Sequence, residues 1–218
     1  MNCRHPDSTS GSVQDAISIP PPRIAPLANP DSNATLPAMS RIAKNLASLA
    51  SAVFAGNPPA SPLAEGACLP AASQENQDGN LVNLAETGAS GYLLVYFYPK
   101  ADTPGCTKQA CSLRDSYAAL ARYNLKILGV STDTADAQKA FKDKSSLPFD
   151  LLADKDATIV TAFGVPTTMG FPKRQAFLFN DGKLIWRDLA ASTVRQADDI
   201  TAAIDAVIPT GSARPPDC

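Results

Sequence analysis

The segment Pro99-Lys-Ala-Asp-Thr-Pro-Gly-Cys106-Thr-Lys-Gln-Ala-Cys111 places two cysteines five residues apart at the predicted opening of a helix. It follows Tyr92-Leu-Leu-Val-Tyr-Phe-Tyr98, a continuous apolar run that reads as a strand covered on both faces. Beyond it, residues 104–122 carry apolar positions at helical spacing, among them Cys111, Tyr117, Leu120 and Ala121. Thr103 suits a helix N-cap and Pro104 the first helical position. Cys106 then falls in the first turn, where unpaired backbone N–H groups and the positive end of the helix dipole favour an anion. An ordinary thiol, with a pKa of about 8.5, is only about 3% ionised at pH 7, so such surroundings matter for a sulfur nucleophile. Lys100, Lys108 and Arg174 are the cations available to reinforce the effect.

The spacing to Cys111 adds a second constraint. Five residues of helix rise about 7.5 Å and rotate well off the starting face, whereas a disulfide wants Cα atoms closer than about 7 Å. A Cys106–Cys111 bond therefore requires the first turns to unwind, which predicts an order change coupled to oxidation. Cys3, Cys68 and Cys218 read as bystanders, too few and too irregularly placed for a disulfide scaffold. The lone histidine, His5, and the lack of any CxxC pair argue against zinc.

Several elements must hold this segment in place. Asp78-Gly79 before Asn80–Leu84 predicts a small hairpin. Residues 125–131 read as a second buried strand, 133–144 as a helix, 149–152 as a short extended piece and 157–163 as a turn or two of helix. Residues 175–179 and 183–187, joined by Asn180-Asp-Gly182, form a hairpin. Residues 193–208 close the domain as an amphipathic helix with Val194, Ala197, Ile200, Ile204 and Val207 on one stripe. Strands alternating with helices predict an α/β fold, and a hairpin before the last helix matches the thioredoxin-like arrangement, a central mixed sheet flanked by helices.

Composition divides the 218 residues unevenly. Eleven of the 19 prolines, but only one of the 14 aromatic residues (Phe54), lie within residues 1–75. A segment so poor in apolar surface cannot offset its ordering entropy. Residues 1–60 therefore read as a disordered head, 61–209 as the folded domain and 210–218 as a tail. Within the head, residues 39–55 resemble a short secretory signal behind Arg41 and Lys44, which would make Met39 the true start. The alternative reading is an amphipathic helix. The expected compartment is the cytoplasm, or the periplasm or exterior if translation starts at Met39. A net charge of −2 and a pI near 5.3 give no reason to expect nucleic acid or a membrane surface as partner.

The stretch Tyr96-Phe-Tyr-Pro-Lys-Ala-Asp-Thr-Pro-Gly-Cys-Thr-Lys-Gln-Ala-Cys-Ser-Leu-Arg-Asp115 resembles the active-site segment of Q-type peroxiredoxins, also called bacterioferritin comigratory proteins. The likeness extends over about 61–208, taking in residues 129–133, 147–154 and 163–165, and includes the peroxiredoxin N-terminal hairpin. It implies a thiol peroxidase in which Cys106 attacks hydrogen peroxide or an organic hydroperoxide and Cys111 resolves the sulfenic acid as a disulfide. It further implies that Pro99 shields the thiol, Thr103 orients the peroxide and Arg174 stabilises the developing charge. Thioredoxin or a similar dithiol would recycle the enzyme, which is expected to be a monomer without cofactor. Gln109 stands where the family often has Glu, and Ala176 where Thr or Ser is usual. The short segment after Val165 suggests a different pocket rim. The rival readings are a thioredoxin-like thiol–disulfide oxidoreductase, which would want CxxC, and a redox sensor using the same dithiol.

Overall fold

The computed structural model describes residues 61–207; the expected head at 1–60, with its signal-like segment 39–55, and the tail lie outside the described residues. The domain opens with β1 (Ser73–Glu75) and β2 (Leu81–Asn83), an antiparallel pair turning at Asp78-Gly79, followed by the short helix α1 (Leu84–Thr87). Then come β3 (Tyr92–Phe97), α2 (Pro104–Asp115), α3 (Tyr117–Ala121), β4 (Leu125–Ser131), α4 (Ala135–Ser145), β5 (Asp150–Ala153) and α5 (Thr158–Ala162). A small hairpin, β6 (Thr167–Thr168) and β7 (Phe171–Pro172), precedes β8 (Gln175–Asn180), β9 (Lys183–Asp188) and the closing helix α6 (Gln196–Val207).

The main sheet has the order β5-β4-β3-β8-β9. β4 runs parallel to β3, and β5 parallel to β4, while β8 and β9 are antiparallel additions on the other side. The sheet is mixed, as expected. β3 lies at its centre, and its side chains alternate between two cores. Leu94 and Tyr96, with Tyr98 just past the strand, pack with Cys106, Ala110, Leu113, Ile200 and Ile204 under α2 and α6. Leu93, Val95 and Phe97 pack on the other face with Leu84, Ile159, Val160, Phe163, Phe177 and Phe179. There Phe163 meets Phe97, Phe177 and Phe179 at ring-centroid distances of 5.1, 5.3 and 5.9 Å, with the last two edge-on.

Two expected helices differ in extent. The helix expected over 104–122 breaks at Ser116 (φ −95°, ψ 1°), giving α2 and α3. The closing helix begins at Gln196 rather than Thr193, because the Ser192 hydroxyl accepts from the N–H groups of Val194 and Arg195 and holds a turn there. Val194 consequently stands outside the buried stripe, 62% exposed, and Val207 at the end of α6 is 36% exposed. Ala197, Ile200 and Ile204 are buried as expected.

Candidate active site

Three chain segments meet where β3 ends. The loop 99–103 leads from β3 to α2, and the residues before β8 come alongside because Phe97 pairs with Gln175 in the antiparallel register. Arg174 is thereby placed beside the start of α2. The loop is fastened from below by Asp133, whose carboxylate accepts from Ala101 N–H at 2.7 Å and from the Ser131 hydroxyl at 2.8 Å. Asp102 takes a left-handed conformation (φ 56°) and pairs with Lys144 at 2.6 Å. Tyr98, at the end of β3, hydrogen-bonds to Gln138 on α4, and Gln138 donates in turn to Ser131 Oγ at 2.8 Å and to the Leu152 carbonyl at 3.0 Å. Burial holds the Tyr98 phenol well above its ordinary pKa, so it is neutral and serves as an anchor.

Cys106 lies in the first turn of α2, buried, with a free thiol. Thr103 occupies the N-cap position, and its carbonyl accepts the first helical hydrogen bond, from Thr107 N–H at 2.8 Å. Its side chain departs from the expected cap. The hydroxyl turns back to donate to the Lys100 carbonyl at 3.0 Å, and no side chain caps the N–H groups that open the helix. Those of Gly105 and Cys106 have no intrahelical acceptor and are left to bind an anion or a polar ligand.

Of the three cations that residue types alone left open, the one beside the thiol is Arg174, which the family resemblance also implied. Its Nη2 lies 3.3 Å from Cys106 Sγ, while its Nη1 donates to the side-chain oxygen of Gln109. Among the described residues no carboxylate pairs with Arg174. Lys100 instead places its ammonium over the Phe171 ring, 5.4 Å from the centroid, and Lys108 is exposed. Pro99 is half-buried at the mouth of the loop. Ala176 is fully buried opposite Tyr96 in the strand register.

Cys111 is half-buried one and a half turns further along the unbroken helix α2, so it is not brought to Cys106. The sulfurs of Cys68 and Cys111 are engaged in disulfide bonding, unlike that of Cys106. Cys68, read from sequence as a bystander, is thus bonded. Among the described residues no group of three or more His, Cys, Asp or Glu side chains converges to hold a metal ion. Sequence reasoning missed the supporting residues Asp133, Gln138 and Gln196; for the two glutamines, a polar type at buried helix positions was the available signal.

The chain matches the model of the AhpC/TSA family over residues 66–187. It belongs to that family. Peroxiredoxin bcp1 of Schizosaccharomyces pombe is 35% identical over 142 residues, 64% of this chain and 73% of that protein. The chloroplastic peroxiredoxin Q of Suaeda salsa is 38% identical over 120 residues, 54% of this chain and 56% of that protein. The chain thus spans about half the length of this plastid relative. The structure of the Xanthomonas campestris bacterioferritin comigratory protein, studied for its alkyl peroxide reduction activity, superposes with a TM-score of 0.59 at 28% identity. That match covers 63% of this chain and 95% of that one. These are peroxiredoxins of the Q, or bacterioferritin-comigratory, type, and the described sheet and helices are their thioredoxin-like fold.

Proposed function

We propose that this family member is a thiol-dependent peroxidase in which Cys106 is the peroxidatic residue, acting on hydrogen peroxide and organic hydroperoxides. The contact of the Arg174 guanidinium with Cys106 Sγ, at the uncapped start of α2, carries the reading. A helix terminus and a delocalised cation both favour the thiolate over the thiol. The thiolate attacks one peroxide oxygen, the O–O bond breaks, and the departing oxygen takes a proton to leave as water or alcohol. Cys106 is left as a sulfenic acid. The N–H groups opening α2 and Arg174 are the donors placed to align the peroxide and carry the charge developing on the leaving oxygen, while the Thr103 hydroxyl, its proton given to the Lys100 carbonyl, offers the peroxide O–H an acceptor. Pro99 restricts access of water to the thiol.

Cys111, in its reduced form, then condenses with the sulfenic acid, expelling water and forming the Cys106–Cys111 disulfide. A dithiol such as thioredoxin returns both residues to thiols by exchange. The unbroken helix between the two cysteines means that its first turns must open at this step. We place the enzyme in the cytoplasm as a monomer, or in the periplasm or exterior should translation begin at Met39; no described helix is long and apolar enough to cross a membrane.

Stopped-flow oxidation, followed through the single Trp186, tests the assignment. Cys106→Ser is expected to abolish the rapid reaction with peroxide. Cys111→Ser should leave that first phase intact and block the disulfide seen by mass. Arg174→Met should slow the first phase about 10²-fold, the size of effect that loss of one charge-stabilising donor has elsewhere, and Arg174→Lys should recover only part because an ammonium lacks the two-armed geometry. Equal rates for the two cysteine variants would overturn the division of labour between peroxidatic and resolving sulfur.

A further inference from the structure

The hydrogen bonds that orient Arg174 do not end at Gln109. A guanidinium carries five donors and no acceptor, so the Gln109 atom that faces Arg174 must be its oxygen. That fixes the Gln109 amide: its NH2 points the other way, into an interior where Gln109 is fully buried. There it donates to Gln196 Oε1 at 2.6 Å. Gln196 is 1% exposed, at the first residue of α6, 87 positions along the chain from Gln109. Its own NH2 finds no hydrogen-bond partner. A side chain that only filled space at this buried spot would be better as leucine or methionine, since the orphaned NH2 is a cost with no structural return. What the glutamine supplies is the one acceptor that allows Gln109 to present its oxygen to Arg174.

We infer that Gln196 is a positioning residue for the peroxidase site, holding Arg174 against Cys106 through the amide of Gln109. Gln196 touches neither the thiol nor the substrate. It acts by accepting from the Gln109 NH2, so that the amide whose oxygen holds the guanidinium is paired at both ends; without that acceptor the NH2 is a buried orphan and the hold on Arg174 loosens. The inference rests on the peroxidatic role of Cys106 and its support by Arg174.

The chemistry of the relay supplies its own test. A carboxylate at position 109 has two acceptor oxygens and no NH2, so it would hold Arg174 without help from position 196. The measurement is the second-order rate constant of Cys106 oxidation by hydrogen peroxide for Gln196→Met in two backgrounds, the natural chain and Gln109→Glu, each compared with its own parent. The expected result is a loss of about tenfold in the natural background, the factor associated with one buried hydrogen bond, and less than twofold in the Gln109→Glu background. A merely space-filling or helix-docking role for Gln196 would give the same loss in both, and that outcome overturns the inference, as does an unchanged rate in the natural background. Gln196→Leu provides a second apolar filling and is read by the same comparison. Cys106→Ser keeps the two readings separable: if it still reacts rapidly the peroxidase assignment fails, whereas if it is inert and Gln196→Met is silent only the relay fails.

Discussion

Tyr96 reaches across the sheet toward Gly129 with a phenolic oxygen that has no hydrogen-bond partner, although the residue is fully buried beside Cys106. Burial holds that phenol well above its ordinary pKa, so it stays neutral. The space it needs is supplied by Gly129, where an added Cβ would lie 2.7 Å from Tyr96 Oη and 2.7 Å from Leu151 Cδ2. The tyrosine is worth its packing, whereas its hydroxyl is a local cost. Tyr96→Phe is therefore expected to leave stability unchanged or raise it by about 1 kcal/mol in urea unfolding. Gly129→Ala should cost about 1–3 kcal/mol by overpacking. Adding Tyr96→Phe should recover part of that loss, because the phenolic oxygen is one of the three atoms in the way, with Leu151 Cδ2 and the Tyr96 Cζ at 2.8 Å. Additive effects would show that Leu151 and the ring carbon, not the hydroxyl, carry the clash.

At the scale of elements, the β1–β2 hairpin is attached to the rest of the domain through Asp150 at the start of β5. Its carboxylate accepts from Lys142 at 2.7 Å, Gln77 at 3.0 Å and Asn76 at 3.3 Å. Partial burial acts to raise the Asp150 pKa, but the hydrogen bonds from Lys142 and Gln77, with the Lys142 charge, prevail and hold it below the ordinary aspartate value of 3.8. A carboxyl whose folded pKa is depressed stabilises the fold above its unfolded value and loses that contribution as pH falls through the folded one. Asp150→Asn should accordingly lower the melting temperature at neutral pH, with the gap to the parent closing below pH 3.8. A gap that stayed constant with pH would assign the loss to hydrogen-bond geometry rather than charge. The side chain is 39% exposed, so solvent screening keeps the effect modest.

For the whole molecule, the proposed catalytic cycle and folding compete at α2. With α2 unbroken, Cys106 and Ala110 are buried against β3 and α6, and Ser112 Oγ donates to the Val194 carbonyl at 3.3 Å. Closing a Cys106–Cys111 disulfide breaks the helix between them and gives up part of this docking. Peroxide-oxidised protein is therefore expected to melt at a lower temperature than reduced protein and to lose amide-exchange protection over 104–111, while β3 and β8 at the sheet centre stay protected. Reduction by a dithiol should restore both. Unchanged protection across 104–111 after oxidation would mean that Cys106 is resolved by some other thiol.

Much of this was legible in the chain because local signals were strong. The apolar run of β3, the Thr-Pro-Gly start of α2 and the Asp-Gly turns each specify conformation within a few residues, and the cysteine spacing means that the proposed Cys106–Cys111 bond needs the helix to open. Ser116 and Ser192 escaped notice because apolar periodicity carries no record of where a serine hydroxyl or a bend ends a helix. Which of Lys100, Lys108 and Arg174 faces the sulfur is a question of register between β3 and β8, and so of contacts some 68 residues apart. The same holds for Gln196. Its amide means nothing in sequence beside Ala197, and acquires a role only when α6 packs on α2 and closes the line of hydrogen bonds to Arg174.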